Sequence, residues 1–350
     1  MTKKARTTAC STPGLTRRRF LSTITAGAAG MAWLAENTPP AFAQRKMFAA
    51  RFGTVIAAST PNALGDKYFT DEANKRSGGA LQIQFFPDAQ IGASRDLLEG
   101  VQLGSVQFAE VSTANITPFL ADTMVFDLPY VFTSQPTLLK FLDSPVGSEK
   151  LAIERFATIR MRGLCWYDTG TRDIYNSRKP IVTPDDLKGM KIRVEENPVR
   201  VASLNAMGAQ ATPMSFAEVY GALQQKVMDG AENSAQTYMA NKHNEVAPFF
   251  SLTDHFITPN CVVVSTSFFN GLPKELQDLL VQVGKDAALY ERKVWAEVGG
   301  KLADSMRGAG VKINECDKKA FRATVTKLQE EYAKKIPRDW WETVMKAAGA

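Results

Sequence analysis

A long helical repeat of apolar residues near the C-terminus constrains the fold more than any other feature of the sequence. Pro273 can open a helix, and apolar side chains then keep helical spacing as far as Leu302. The repeat consists of Leu276, Leu279, Leu280, Val283, Ala287, Tyr290, Val294, Val298 and Leu302. A helix of about thirty residues is about 45 Å long, which exceeds the width of one small lobe. The sequence therefore predicts two lobes that are braced by one helix.

Strand-like and helix-like segments alternate along the rest of the chain. Strands are predicted at residues 81–85, 106–111, 159–166, 191–194 and 311–313. Helix starts are predicted with Ser94 as an N-cap, with Thr183 as an N-cap before a proline and with an acid, Asp186, at the third helical position, and in a capping box at Ser215; a late helix is predicted over 318–335. This alternation predicts an α/β fold with mostly parallel sheets, and 350 residues suffice for two such lobes.

The division into lobes follows from the same pattern. No low-complexity linker interrupts the sequence, so we expect the chain to cross between the lobes more than once. The predicted boundaries place residues 44–169 and 259–298 in lobe I. Residues 170–258 and 299–350 then form lobe II and the C-terminal helices.

Residues 1–43 have the composition of an export signal. Basic residues precede a short apolar stretch that is diluted by glycine, and Ala41-Phe42-Ala43 forms an A-x-A cleavage site. The run Arg17-Arg18-Arg19-Phe20-Leu21 resembles the twin-arginine export motif, although a chance arginine run before a general secretory signal is the alternative. We therefore predict a twin-arginine signal peptide at 1–43 and a mature protein in the periplasm.

The export segment also carries most of the net positive charge of the chain. The whole chain has 42 basic and 36 acidic residues, which gives a formal charge of +6. Six of the basic residues and one of the acidic residues lie in 1–43, which leaves 36 and 35 and a charge of +1. A nearly neutral chain offers no basic surface for phosphates, so nucleic acid is not an expected partner.

The cysteine and histidine positions argue against the usual catalytic and metal-binding arrangements. Cys165, Cys261 and Cys316 allow one disulfide at most, and their spacing matches neither a C-x-x-C nor a zinc pattern. His243 and His255 do not lie at metal-ligand spacing, and we expect them on a solvated helix and in a loop. No glycine-rich phosphate loop follows the export segment. We therefore predict no catalytic residue, no metal and no cofactor.

Four polar residues in or beside predicted strands indicate a binding site instead. Arg172, Arg193, Asn233 and Glu110 occupy these positions, and Arg193 alternates with apolar neighbours, so its side chain faces away from theirs. Charged groups at strand ends of an α/β sheet often line the ligand crevice. A guanidinium can hold a carboxylate through two parallel hydrogen bonds. The group is typical of an organic-anion site, although the pattern alone also allows each arginine to be solvated or paired with a surface acid.

A series of short sequence segments makes the functional interpretation more specific. They lie at residues 90–92, 98–104, 127–132, 170–172, 186–194, 208–209, 212–220 and 229–233, and include Leu-Lys-Gly-Met-Lys-Ile-Arg-Val at 187–194. In this order and spacing, the chain from Phe52 to Tyr332 resembles the extracytoplasmic solute-binding proteins of tripartite ATP-independent periplasmic (TRAP) transporters, the DctP-like family. The resemblance implies a type II-like periplasmic binding protein fold with two lobes and several hinge crossings.

The resemblance also assigns roles to individual residues. Arg193 matches the arginine that clamps the ligand carboxylate, and Arg172 matches a second arginine that often joins it. Asn233 matches an asparagine beside that carboxylate. Phe216 matches an aromatic residue that packs on the ligand, and Glu110 matches an acidic position at the far end of the ligand. Two further candidates lie just past Asn233 in the sequence, namely Gln236 and Tyr238.

The implied function is binding rather than catalysis. The lobes close on an organic acid, and a membrane permease of the TRAP type recognises the closed form. A carboxylate at Glu110 suits a ligand with hydroxyls or an amine, so a sugar acid or hydroxy monocarboxylate is favoured over a dicarboxylate. We expect a monomer. A sensing system in place of the permease, and an exported enzyme, are the alternatives.

One departure from the family pattern bears on the ligand. Many members have a proline shortly after the signature arginine, whereas this chain has Glu195 and Glu196 before Pro198. Two acids would be unfavourable beside a carboxylate clamp, so we expect both to face solvent. If they face the site instead, the ligand is expected to carry a positive group.

Overall fold

The computed structural model describes residues 46–132 and 134–348, so the predicted signal peptide lies outside the described residues. Strands and helices alternate in the described part, as the sequence predicts. The strands there are β1 (Phe48–Gly53), β2 (Leu81–Phe86), β3 (Phe108–Ser112), β4 (Met161–Tyr167), β5 (Thr171–Asn176), β6 (Lys191–Val194), β7 (Gln210–Pro213), β8 (Gly230–Ser234), β9 (Phe249–Ile257), β10 (Asn260–Ser265) and β11 (Lys312–Glu315).

Helices connect these strands. The α-helices are α1 (Pro61–Arg76), α2 (Ser94–Leu103), α3 (Thr113–Ile116), α4 (Gln135–Asp143), α5 (Pro198–Ala206), α6 (Val219–Gln224), α7 (Ala235–Ala240), α8 (Thr266–Asn270), α9 (Lys274–Gly308), α10 (Lys318–Ala333) and α11 (Arg338–Ala348). Short 3₁₀ helices lie at Ala121–Asp127, Pro184–Leu187, Phe216–Glu218 and His243–Glu245, and a π-helix at Val146–Arg155. None of the described helices combines the length and the apolar composition needed to span a bilayer.

Two mixed sheets organise the chain. The five-stranded sheet has the order β2-β1-β3-β10-β4, and the six-stranded sheet has the order β11-β9-β5-β8-β6-β7. We call the parts built on them lobe I and lobe II. The predicted alternation of strands and helices in two α/β lobes is confirmed, but the prediction of mostly parallel sheets is wrong for the two strand pairs that β10 forms with β3 and β4 and for the two that β5 forms with β8 and β9.

The antiparallel pairs arise where the chain crosses between the lobes. It leaves lobe I along β4 and returns along β10, and these two strands pair side by side in opposite directions. It enters lobe II along β5 and leaves along β9, which form the equivalent antiparallel pair. Outgoing and returning strands need no crossover helix, whereas parallel neighbours do. The short crossings at residues 168–170 and 258–259 thus fix the strand directions.

Helix α9 is the predicted brace. It has 35 residues and packs on α1 and β4 in lobe I and on α7 in lobe II. The repeat continues beyond Leu302, because Met306 is also buried on the same helix. The exact lobe boundaries remain a prediction. Residues 338–348, which belong to the predicted C-terminal helices, pack on α4 and the 3₁₀ helix Ala121–Asp127 of lobe I.

Apolar clusters cover both faces of each sheet. In lobe I, one cluster surrounds Phe52 and Phe108, and the other contains Phe126, Trp166 and Trp340 of α11. Two further clusters cover the faces of the lobe II sheet. Cys165 and Cys261 are buried and Cys316 is partly buried, all as free thiols.

Local details differ from the sequence prediction at two helix starts. Ser94 is the first residue of α2 rather than its N-cap, a shift of one position. Ser215 makes no side-chain cap bond to the 3₁₀ helix after it, so the predicted capping box does not form. In contrast, Thr183 and Asp186 form the expected capping box before Leu187.

Candidate functional site

A cavity between the two lobes gathers most of the predicted site residues. It encloses about 640 Å³ of space that protein atoms do not fill, part of it open to solvent. Lobe I contributes Val55, Ile56, Asn62, Ser94, Glu110, Val111, Ser112, Asn115 and Asn260, and the crossing contributes Thr169. Lobe II contributes Arg172, Arg193, Glu195, Glu196, Phe216, Asn233 and Thr237.

Neighbouring strands of lobe II bring the predicted polar residues together. Arg193 lies in β6 opposite Ala231 of β8, and Arg172 of β5 lies opposite Ser234 of β8. Arg193 and Asn233 therefore approach the cavity from adjacent strands. Because side chains alternate along a strand, the neighbours of Arg193 point into the lobe II core while Arg193 points to the cavity. Glu110 faces them from β3 of lobe I.

Arg193 is buried without a carboxylate partner. Its Nε and Nη2 atoms donate to the Met214 carbonyl at 2.9 and 2.7 Å, and its guanidinium carbon lies 5.7 Å from the Phe216 ring centroid. Only 2% of the residue is exposed, and within the described part of the chain it forms no ion pair. Burial lowers the pKa of Arg193, against the opposing charges of Glu195 and Glu232. A ligand carboxylate can supply the missing counter-charge.

Arg172 differs from Arg193 because its charge is already compensated. Its Nε and Nη2 atoms donate to the two carboxylate oxygens of Glu232 at 2.6 and 2.9 Å. Glu195 Oε2 lies 3.4 Å from Arg172 Nη2. Although burial opposes ionisation, the charge of Arg172 lowers the pKa of Glu232, and the two acids raise the pKa of Arg172. The sequence alone allowed Arg172 to pair with a surface acid, whereas in the structure its partner is a buried acid.

Asn233 and Glu110 are also held in place by local hydrogen bonds. The Asn233 Oδ1 atom accepts from the Ser234 amide at 2.9 Å. Glu110 accepts from the Thr54 hydroxyl at 2.6 Å and from the Asn260 side-chain amide. Burial raises the pKa of Glu110, and these two hydrogen bonds oppose the shift. Glu110 is therefore a fixed hydrogen-bonding group on the lobe I wall.

The expectation that Glu195 and Glu196 both face solvent is wrong for Glu195. Glu195 is buried, and its Oε1 atom accepts from Asn115 Nδ2 of lobe I at 3.2 Å. Glu196 is exposed at the edge of the cavity. The reason is the alternation of β6, which continues for one more pair and places Glu195 on the same side of the chain as Arg193. The expectation that a positive ligand group must then balance Glu195 does not follow, because Arg172 Nη2 lies 3.4 Å from Glu195 Oε2.

Gln236 and Tyr238 lie outside the cavity. The Tyr238 hydroxyl donates to the Ala247 carbonyl at 2.8 Å, and its ring packs in the lobe II core. The Gln236 amide lies beside Gly299 of α9. Both residues belong to α7, on which successive side chains diverge by about 100°, so only Thr237 between them faces the cavity.

Several lining residues have no clear signal in the sequence. Asn62, Asn115 and Asn260 reach the cavity from the lobe I side, on α1, α3 and β10. Single asparagines are common at helix starts and strand ends for local reasons. Glu195 was visible only as a departure from the family pattern. In the described residues, no group of three or more His, Cys, Asp or Glu side chains is arranged to hold a metal ion.

Both histidines are buried, contrary to the expectation of solvated positions. His243 Nδ1 hydrogen-bonds to the Tyr175 hydroxyl at 2.7 Å, and His255 Nδ1 to the Thr253 hydroxyl at 2.8 Å. Burial lowers the pKa of both, and that of His243 falls to about 4. Neither histidine lines the cavity.

Comparison with known proteins settles the family. The profile of the family described as bacterial extracellular solute-binding protein, family 7 (DctP), matches residues 52–335. This chain is a DctP-family solute-binding protein. The resemblance to the DctP-like proteins of TRAP transporters is confirmed, and with it the two-lobed α/β fold.

Related DctP-family proteins bind several kinds of organic acid, according to their names. The 2,3-diketo-L-gulonate-binding periplasmic protein YiaO of Escherichia coli is 34% identical over 82% of this chain and 88% of its own length. The C4-dicarboxylate-binding periplasmic protein DctP of Rhodobacter capsulatus is 31% identical over 82% of this chain and 86% of its own length.

A crystal structure of a family member shows the same fold. The TRAP periplasmic solute-binding protein from Sulfitobacter sp. NAS-14.1, with bound β-D-galacturonate, is 33% identical. The match covers 86% of this chain and all of that chain, with a TM-score of 0.82. These relatives are binding proteins, named as periplasmic.

Proposed function

We propose that this protein captures a sugar acid in the periplasm and delivers it to the membrane permease of a TRAP transporter. The observation that carries the proposal is Arg193, a buried cation without a carboxylate partner among the described residues, in a cavity between two lobes. A buried guanidinium is stabilised when a carboxylate and further hydrogen bonds complete its shell. A ligand carboxylate fits that need.

The remaining lining supports a polyhydroxy ligand. Amide side chains of Asn62, Asn115 and Asn260 and the carboxylate of Glu110 offer donors and acceptors around the cavity. Ligand hydroxyl groups can both donate and accept, so they match such a mixed lining. A second carboxylate on the ligand would face the carboxylate of Glu110, which is unfavourable. Two of the relatives named above, those from E. coli and Sulfitobacter, carry sugar acids in their names, which favours the same class here.

The proposed mechanism is closure around the ligand. A ligand that contacts both lobes binds the closed arrangement better, and this difference in affinity shifts the population towards it. The permease then recognises the closed form. We propose binding without catalysis, because both histidines are engaged inside lobe II and away from the cavity.

Removal of the Arg193 guanidinium tests the proposal. Arg193→Ala is expected to weaken sugar-acid binding by about 2–5 kcal/mol, the range for truncating one partner of a buried charged pair. Calorimetric titration with D-galactonate, D-galacturonate, D-glucuronate and succinate measures the effect on protein stripped of co-purified ligand by unfolding and refolding.

A matched arginine serves as the control. Arg178 is half exposed in the turn after β5, where it pairs with Asp229 at 3.5 Å, away from the cavity. Arg178→Ala is expected to bind with wild-type affinity. Equal affinity of Arg193→Ala and wild type for every bound acid contradicts the proposal, as does binding of neutral sugars in place of the acids.

A further inference from the structure

Building on the proposed function, we propose that Glu195 determines the selectivity of the cavity for monocarboxylates. Glu195 compensates the charge of Arg172, so that Arg193 alone anchors a ligand carboxylate. The Oε2 atom of Glu195 accepts a hydrogen bond from a ligand hydroxyl. The protein would then select a polyhydroxy acid with one carboxylate over an acid with two.

The geometry of Glu195 shows one satisfied and one unsatisfied oxygen. Its side chain is 9% exposed and lines the cavity. Oε1 accepts from Asn115 Nδ2 at 3.2 Å. Oε2 is buried and accepts no hydrogen bond from any described residue, although Arg172 Nη2 lies 3.4 Å away. A buried acceptor without a donor is costly, and a ligand hydroxyl at this place removes the cost.

Charge balance explains why a second carboxylate is disfavoured. Arg172 already has two acids beside it, since Glu232 binds it through two oxygens and Glu195 lies on its other side. Glu110 lines the opposite wall. A dicarboxylate anchored at Arg193 would therefore bring its second charge among acids rather than to a free cation. Like charges placed together in a binding site are strongly unfavourable.

A pair of ligands that differ at one carbon isolates this effect. D-Galactonate and galactarate share the hydroxyl groups on the four inner carbons and one carboxylate, and differ only in whether the sixth carbon is an alcohol or a carboxylate. We expect the wild-type protein to bind D-galactonate about tenfold or more tightly than galactarate, a ratio equivalent to about 1.4 kcal/mol.

Glu195→Gln removes the charge and keeps the shape. We expect this variant to lose the preference, with the ratio falling by about tenfold, chiefly because galactarate binds better once Arg172 has a single acid beside it. The control is Glu218→Gln, which makes the same charge change at an exposed residue of lobe II outside the cavity. It is expected to keep the wild-type ratio.

The outcomes separate this inference from the proposed function. Wild-type protein that binds both acids equally overturns the inference without any variant, so a Glu195→Gln protein that fails to fold leaves the test intact. A Glu195→Gln ratio equal to that of wild type also overturns it. If none of the sugar acids in the calorimetric series binds, or binding survives in Arg193→Ala, the sugar-acid function itself is wrong, whatever Glu195 does.

Discussion

Arg172 and Arg193 show how partners give the same side chain different roles. Both are buried beside the cavity, on strands that flank β8. Arg172 has Glu232 and Glu195 beside it, whereas Arg193 donates only to a backbone carbonyl within the described residues. The first arrangement balances the buried charge of Arg172 with acids of the protein, whereas the second leaves the Arg193 cation as the group that we propose binds a ligand carboxylate. The two arginines should therefore respond differently to truncation.

Arg172→Ala is expected to destabilise the ligand-free protein by about 3–5 kcal/mol, because it leaves the Glu232 carboxylate buried without its partner. Urea denaturation measures the change. Arg193→Ala is expected to cost less than half as much, since no described carboxylate depends on it. The double variant Arg172→Ala/Glu232→Gln should recover part of the loss. An Arg172→Ala protein as stable as wild type would show that the pair contributes nothing to the folded state.

His243 gives the protein a pH-dependent contribution to stability. Burial, together with the charge of Arg193, lowers its pKa to about 4, compared with about 6.5 for an unfolded chain. Between these values the unfolded state binds more protons, so the contribution of His243 rises as pH increases from about 4 to about 6.5, by up to about 3 kcal/mol. His243→Gln should remove this term. Urea denaturation at several pH values measures the difference between the two proteins, and parallel curves would contradict the prediction.

At the scale of elements, the chain crossings join the cavity to the long helix. The Asp168 amide, at the first crossing, donates to Glu291 Oε2 of α9 at 3.1 Å. Gly170 follows with a φ of +71°, and a Cβ atom there would lie 2.7 Å from the Trp295 ring of the same helix. Glycine is needed at this point both for the backbone conformation and for the close approach. Helix α9 thus contacts the segment that any lobe motion must bend.

The sequence predicted elements well where local pattern decides them. The bounds of β6 at Lys191–Val194 agree with the prediction. The predicted long helix is also present, as α9. Both elements have an uninterrupted periodic pattern of apolar residues. The side of β6 that Arg193 faces follows from the same alternation. The relative direction of neighbouring strands could not be predicted from the sequence, because a pattern of apolar residues shows which face of a strand is buried but not which other strand pairs with it. Pairings such as β4 with β10 join segments about one hundred residues apart.

Site residues on helices were harder to predict than those on strands. Ser234 caps α7 through the Thr237 amide, which places Thr237 in the cavity and turns Gln236 and Tyr238 away. A serine after a strand is a recognisable helix start, so this orientation could have been found from the sequence. The side of the chain that Glu195 faces follows from the alternation of β6, but its contact with Asn115, a residue eighty positions away in the other lobe, could not be found from the sequence.

For the whole molecule, the burial of the cavity residues implies movement. Exposed fractions are 1% for Glu110, 2% for Arg193, 5% for Arg172 and 7% for Asn233, and the walls come from both lobes. A ligand cannot reach Arg193 unless the lobes separate. At another contact between the lobes, Arg200 of α5 and Asp127 of lobe I form a fully buried ion pair at 3.1 Å, supported by Asn197. This contact is expected to stay closed while the cavity opens.

Ligand should therefore make the protein more compact. We expect small-angle X-ray scattering to give a larger radius of gyration for ligand-free protein than for protein saturated with the sugar acid that binds it most tightly. Binding shifts the population only as far as the ligand prefers one arrangement. Arg193→Ala, at the same ligand concentration, should keep the larger radius because the anchoring contact is gone. Arg178→Ala should contract as wild type does. Equal radii for wild type with and without ligand, at concentrations where calorimetry shows binding, would mean that the ligand enters without lobe movement.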